Sequence, residues 1–268
     1  MELYKGVYVV EGMPVLFIKR LNALVCSDLH LGYEGVMADR GIFLPKTNLA
    51  KIKKMLKKSI ETTGAKKLVI DGDIKNEFSK VHMEEFNEFR ELVSFLKELG
   101  IEELHLVKGN HDNFIDRFEK PFGMKVYRQE FLLEDVLFFH GEELPASDEG
   151  KLLVMGHLHP AVGIFNKLGV KERVKCFLYG KMADKRDIII LPAMNYFSEG
   201  IEVNISDVED TPIFRRMLKL MDMNVGQRLS FITIQKYLVS SFDSPGQIRT
   251  GVSGSKARYP WPLDDGTA

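Results

Sequence analysis

The sequence lacks any apolar run near the roughly 18 residues that a membrane-spanning helix needs, so no span is expected. Its first residues lack a basic stretch followed by a long apolar core, so no signal peptide is expected either. Charge of one sign is also missing. The formal net charge is −1, which excludes a global basic field that would pull the protein onto nucleic acid or an anionic bilayer. A local basic patch remains compatible with that total. Only two cysteines occur, Cys26 and Cys176. They exclude a disulfide framework and read as reduced thiols in a cytoplasmic protein. There is no internal repeat.

What is present is an ordinary globular composition, 268 residues with 45% apolar side chains. That is enough for one large domain, or one domain with a small appendage. The first half alternates strand and helix. Lys5 to Val10 and Val15 to Ile18 read as strands joined by the turn Glu11-Gly12-Met13-Pro14. Ala23 to Cys26 is a short apolar strand. A helix follows from about Lys46 to Ile60, with Leu49, Ile52, Met55, Leu56 and Ile60 on one face. Lys67 to Ile70 is the next strand, about Glu84 to Leu99 the next helix, and Glu103 to Val107 the strand after it, with Gly100 at the helix end. This order implies parallel strands with right-handed crossovers. The second half has short apolar runs with little room for helices: Lys125-Val126-Tyr127, Phe131 to Leu133, Val136 to Phe139, Leu152 to Met155, Lys175 to Tyr179 and Asp187 to Leu191. They read as a second, mostly antiparallel sheet packed on the first. Thr211-Pro212 opens a helix through Met221. Arg228 to Phe242 fits helix or strand. Residues 244–268, rich in Gly, Ser, Pro and charge, read as a flexible tail.

The polar residues at the strand ends carry the chemistry. Five of the seven histidines lie in clusters that end or follow an apolar run: Asp28-Leu29-His30, Gly72-Asp73, Lys108-Gly109-Asn110-His111-Asp112, His140-Gly141 and Gly156-His157-Leu158-His159. Such strand ends are where α/β sheets keep their sites. Gly109 frees the backbone for a sharp turn. On an extended segment Asp28 and His30 would point the same way, as would His157 and His159. Carboxylate, imidazole and amide oxygen together make a borderline-hard ligand set, suited to Mn, Fe, Ni, Zn or Co. The ligands are too many for one ion. Two ions about 3.5–4 Å apart, sharing a bridging carboxylate, would use them all and would clamp a phosphoryl group in displacement.

The ordered set Asp28-x-His30, Gly72-Asp73, Gly109-Asn110-His111-Asp112, His140 and Gly156-His157-x-His159 resembles the calcineurin-like metallophosphoesterase superfamily, over about Ala23 to Pro160. The resemblance implies a four-layer α/β fold, a β-sandwich flanked by helices, with a catalytic domain at residues 1–204, an extension at 205–243 and the tail beyond it. It implies two divalent ions, with manganese the expected one. Asp28, His30 and His159 would hold one ion, Asn110, His140 and His157 the other, and Asp73 would bridge them. A metal-bridging hydroxide would attack phosphorus, and His111 would protonate the leaving oxygen or steady the transition state. Asp112 would orient its loop. The wording Ser-Asp-Leu-His-Leu-Gly-Tyr-Glu, Gly-Asp-Ile-Lys-Asn-Glu-Phe and Leu-Pro-Ala-Met-Asn resembles a prokaryotic, largely archaeal branch related to the SbcD repair nuclease. That finer match implies phosphodiester hydrolysis on nucleic acid and leaves room for an ATPase or helicase partner. A small-molecule or nucleotide phosphatase, or a scaffold without chemistry, are the rival readings.

Two positions depart from the family pattern. Asn76 stands where relatives often place an Asp or His that supports the catalytic His; its amide is left to position His111. Glu142 stands where relatives often have His, which leaves a carboxylate unassigned near the metals. The Arg that protein-serine/threonine phosphatases carry after their Gly-Asp motif is absent. Lys75 could contact a substrate phosphate or be simply solvated. His105 within a strand and His82 in a loop read as structural residues. Lys51, Lys53, Lys54, Lys57 and Lys58 read as the wet face of a helix.

Overall fold

A computed structural model of the chain describes residues 1–80, 82–165, 171–182, 184–203, 230–233, 239–244 and 247–251. The expected helix from Thr211 to Met221 lies outside the described residues. In chain order the strands of the first half are β1 (Glu2–Tyr4), β2 (Val7–Val9), β3 (Leu16–Ile18), β4 (Ala23–Cys26), β5 (Lys67–Asp71), β6 (Glu103–Val107) and β7 (Lys125–Tyr127). The helices are α1 (Tyr33–Asp39), α2 (Asn48–Thr63), α3 (Met83–Glu98) and α4 (Asp116–Phe122). The rest of the described chain is β8 (Glu130–Leu133), β9 (Val136–Phe139), β10 (Leu152–Met155), β11 (Pro160–Phe165), β12 (Lys171–Lys181), β13 (Asp187–Ile190), β14 (Ile201–Glu202), β15 (Ser230–Thr233), β16 (Val239–Ser244) and β17 (Gln247–Gly251).

The strands form two sheets. The first runs β1 through β7 in sequence order, antiparallel up to β4 and parallel from β4 to β7. The second runs β17-β16-β15-β12-β13-β10-β9-β8, with β11 paired to β12 and β14. The mixed α/β sandwich expected from the sequence is therefore present, with corrections in detail. β7 pairs in parallel with β6 and so belongs to the first sheet, not the second. The centre of the second sheet, β9-β10-β13, is parallel, and antiparallel pairs surround it. Gln247–Gly251, inside the stretch expected to be a tail, pairs with β16. Within Arg228 to Phe242 the described parts are strands.

The layering follows from alternation along strands that are covered on both faces. Leu24 and Cys26 of β4 face a core made with α2 and α3, which contribute Ile52, Leu56, Phe89 and Leu92. Ala23 and Val25 of the same strand face Val154, Phe177 and Ile189 of the second sheet. Leu153 and Met155 of β10 turn to the outer face of that sheet, with Val162 and Cys176. Helix α2 ends on Gly64 at φ 68°, a left-handed cap that glycine enters without strain. Helix α3 starts on a capping box, in which His82 accepts from the Glu84 N–H while Glu85 reaches back to the His82 N–H. His82 is thus the structural residue expected. So is His105, buried in β6 with Phe131 stacked on its ring at 4.8 Å and the Tyr127 hydroxyl 3.1 Å from Nδ1. Lys53 and Lys57 of α2 pair with Glu91 and Glu61, and Lys51 lies over the Tyr196 ring. Among the described residues no helix is long and apolar enough to cross a membrane.

Candidate metal centre

The loops that leave β4, β5, β6, β9, β10 and β13 meet at one end of the sandwich. Main-chain bonds sew them together. Asp28 N–H donates to the Gly72 carbonyl and His30 N–H to that of Asp73, each at 3.0 Å. Met194 and Asn195 donate to the Ser27 and Asp28 carbonyls, each at 2.9 Å, which ties the second sheet to the first. His111 N–H donates to Asp73 Oδ1 at 2.8 Å. Asp28, His30, Asp73, His157 and His159 all have φ between 45° and 67°. The extended geometry expected for Asp28-Leu29-His30 is corrected accordingly. The chain coils left-handed at both candidate ligands, and Leu29 between them is fully buried. Five strained non-glycine residues at one spot is the pattern of a functional site that the surrounding structure holds in place.

Two glycines are required by space. A Cβ on Gly109 would collide with the Asp73 carboxylate and its main chain, and one on Gly72 with the His140 imidazole. Gly109 does not have a positive φ, so its role is close approach, not the sharp turn expected from the sequence.

Ligand atoms group in three overlapping sets: Asp28, His30 and His159; His30, Asp73 and His111; and Asp73, His140 and His157. Within each set the atoms lie within 4.8 Å of one another. His159 Nε2 is 3.0 Å from Asp28 Oδ1, and His140 Nε2 is 3.1 Å from Asp73 Oδ2 and 3.9 Å from Asp28 Oδ1. Three rings are fixed from behind. His140 Nδ1 donates to the Asp71 carbonyl at 2.9 Å, and His111 Nδ1 to the Asn76 carbonyl at 2.7 Å. His159 Nδ1 is 2.8 Å from Ser198 Oγ. A carbonyl only accepts, so the protons of His140 and His111 sit on Nδ1 and their Nε2 atoms are left for the pocket.

The electrostatics follow from burial. Asp28 and Asp73 are 0% and 2% exposed, so burial alone would keep both protonated. His159 and His140 overcome that for Asp28, and His140, with His30 and His111, for Asp73; both carboxyls end below the usual range. His140 moves the other way. Burial disfavours its charge, but Asp73 and Asp28 raise it well above an ordinary imidazole. His30 and His157, held chiefly by burial, fall to about 4. Two buried carboxylates held ionised, with the imidazoles of His30 and His157 kept neutral by burial, call for positive charge, and without metal His140 is the imidazole they draw toward its charged form. His30 Nδ1 and Asn110 Oδ1 are buried without a hydrogen-bond partner, as donors kept for a cation would be. The residues present therefore fit divalent metal ions.

The remaining sequence candidates settle as follows. Asp112 is fully buried and accepts main-chain N–H groups from Gly109 at 2.9 Å, Ile74 at 3.0 Å and Lys75 at 3.2 Å, clasping the two ligand loops. The expected amide contact is corrected: Asn76 holds His111 through its main-chain carbonyl, a partner that any residue at this position supplies. Lys75 is 2% exposed, and its Nζ donates to the Glu77 and Lys80 carbonyls. The expected phosphate contact gives way to a loop tether, because a buried ammonium takes the nearest carbonyls. Glu142 is exposed on the wall of a pocket that begins at Gly109 and Asn110.

Three residues that the motifs do not mark hold the ligands. Asn195 Nδ2 donates to the Leu29 and His30 carbonyls, and its Oδ1 accepts from Phe197 and Ser198 N–H. Asn48, at the start of α2, donates to the same two carbonyls. Ser27 Oγ bonds Asp28 Oδ2. Asn195 closes the Leu-Pro-Ala-Met-Asn segment, whose family-like wording was the one available signal.

The sequence model of calcineurin-like phosphoesterases matches residues 21–213, well over half the chain. The chain belongs to the calcineurin-like phosphoesterase family. It is a metal-dependent hydrolase, and the overlapping ligand sets occupy the loops at the strand ends of this phosphoesterase. No curated protein matches the chain. Among solved structures it is similar to the Pseudomonas putida nuclease MPE, at 18% identity over 86% of this chain and 92% of that one, with a TM-score of 0.57. YfcE, a phosphoesterase from E. coli, is 19% identical over 81% of this chain and 90% of that one, with a TM-score of 0.37.

Proposed function

We propose that this phosphoesterase hydrolyses phosphodiester bonds and acts on nucleic acid. One observation carries the reading: a pocket of about 430 Å³ adjoins the candidate centre, lined by Gly109 and Asn110 of the ligand loop and by Lys108 and Arg128. A diester carries one more substituent on phosphorus than a monoester, and this pocket gives it room. The nuclease name of the Pseudomonas putida neighbour agrees, as does the SbcD-like wording of the motifs.

In this reading Asp28, His30 and His159 would hold one divalent ion, Asn110, His140 and His157 a second, and Asp73 would serve both. Manganese is the expected metal. When bound, the ions supply positive charge for the phosphoryl oxygens and a water acidic enough to lose its proton near neutral pH. The protein supplies the rest. The Asp71 carbonyl and Ser198 hydroxyl aim His140 and His159 inward. The Asn76 carbonyl keeps a proton on His111 Nδ1, so a second proton on Nε2 makes the imidazolium that donates to the leaving oxygen.

The test is hydrolysis of bis-p-nitrophenyl phosphate by manganese-loaded protein. Asp73→Ala should abolish it. Faster turnover of p-nitrophenyl phosphate would favour a small-molecule phosphatase, and an inert, metal-loaded protein would favour a scaffold.

A further inference from the structure

Phe78 is an apolar ring that the fold leaves 55% exposed beside the candidate centre, edge-on to His111 at 6.1 Å between centroids. Exposed phenylalanines usually sit on loose loops. This one does not. Lys75 Nζ bonds the carbonyls of Glu77 and Lys80 on either side of it. Glu85 Oε1 accepts the Asn76 and Glu77 N–H groups, and Asn113 Nδ2 donates to the Phe78 carbonyl at 3.1 Å. A buried lysine, a buried glutamate and an asparagine therefore pin one short loop, and the result is an aromatic face presented to solvent. The pocket of about 430 Å³ that this ring walls, a volume in the range that takes small ligands, is also lined by the cations Lys108 and Arg128 and by the carboxylates Asp116 and Glu142. Neither cation has a side-chain hydrogen bond or ion pair among the described residues. Gly109 and Asn110 line the pocket as well, so it adjoins the loop that leads into His111, the ring Phe78 touches.

An aromatic face on a tethered loop, with two cations beside it that have no ion pair among the described residues, offers what a nucleotide requires: a platform for the base and positive charge for the adjoining phosphate. We infer that Phe78, Lys108 and Arg128 form a subsite for the nucleotide on the leaving side of the scissile phosphodiester. Phe78 stacks on its base, and the two cations receive the next phosphate along the strand. The inference rests on the phosphodiesterase reading and on His111 serving the leaving oxygen. It deepens that reading by naming the leaving group as a nucleotide and the substrate as a single strand, since a base inside a duplex has no free face to offer.

The experiment compares, for the manganese-loaded full chain, a thymidylate dinucleotide with its analogue lacking the base on the leaving nucleoside. Wild type should prefer the base-bearing substrate in kcat/KM by roughly five- to 150-fold, the span of single base–aromatic stacks. Phe78→Ala should erase that preference and Phe78→Trp should keep it. Lys108→Gln combined with Arg128→Gln should erase the gain on extending the strand by one phosphate. A binding arm needs no metal: anisotropy of a labelled thymidine oligonucleotide on the metal-free chain should weaken with Phe78→Ala over the same range. Protein that cleaves bis-p-nitrophenyl phosphate yet treats base-bearing and abasic substrates alike overturns the subsite alone. Protein that cleaves neither overturns the phosphodiesterase reading and the subsite with it.

Discussion

Asp112 offers the most direct test of how the centre is assembled, because its side chain touches only main chain. Three N–H groups, from Gly109, Ile74 and Lys75, end on its buried carboxylate. A buried donor left without an acceptor costs about 1–3 kcal/mol. Asp112→Asn keeps the Oδ1 contacts to Ile74 and Lys75 and loses the one to Gly109. Asp112→Ala loses all three. Both variants are neutral, so at any pH the alanine variant should be at least about 2 kcal/mol less stable than the asparagine variant, a large share of a typical domain's total. The comparison with wild type carries a pH signature. Burial, with Asp73 nearby, pushes the Asp112 carboxyl up to about 7, against about 3.9 in an unfolded chain. The folded state thus keeps a proton that the unfolded state has released. Wild-type stability falls from this source as pH rises from about 4 to 7, by at most about 1.4 kcal/mol per unit, and the loss levels off above 7. Asparagine escapes that loss. The deficit of Asp112→Asn should therefore be larger at pH 5 than at pH 7.5. The assay is urea unfolding of metal-free protein followed by far-ultraviolet circular dichroism. Alanine and asparagine variants of equal stability would refute the clasp, and a deficit that widens with pH would refute the burial argument.

Three further outcomes follow from the same geometry. Asn76→Ala keeps the carbonyl that holds His111, so kcat on bis-p-nitrophenyl phosphate should stay within about threefold, whereas His111→Ala should lower it about 10²–10⁴-fold. Half-buried Glu88 accepts the Gly32 N–H, yet burial, with Glu34 and Glu84 alongside, pushes its carboxyl up to about 7. Stability should fall between about pH 4.3 and 7 on this account, and Glu88→Gln should flatten the fall in urea midpoints measured at pH 5 and 7.5. Asn195→Ala should weaken manganese binding about 10–100-fold by calorimetry, because its amide joins the His30 loop to the loop carrying Ser198.

Why the ligands were legible and their supports were not has a physical basis. A metal ligand must be one of a few residue types, and the candidates Asp28, His30, Asp73, Asn110, His140, His157 and His159 each stand near the end of an apolar strand, where alternation gives way to a turn. Period and polarity together expose such a place. Helices α2 and α3 and strands β4 to β6 were readable for the same reason, since their buried faces repeat. Helix α1 was missed because its seven residues bury only Glu34, Gly35 and Val36, too few to make a stripe. β7 went to the wrong sheet because a three-residue strand carries no sign of its partner. The supports of the site were hidden more deeply. His111 and His140 lean on the carbonyls of Asn76 and Asp71, and every residue has a carbonyl, so no side chain announces the role. The left-handed turns at Asp28 and His30 are carried by residues that sequence reading places in extended chain. Besides the main-chain bonds to Gly72 and Asp73, Asn48 and Asn195, remote in sequence, both grip the Leu29 and His30 carbonyls. The strained loop and the two asparagines therefore belong together: the backbone energy given up at His30 is offset by bonds arriving from α2 and from beyond β13, so the loop draws its support from both sheets.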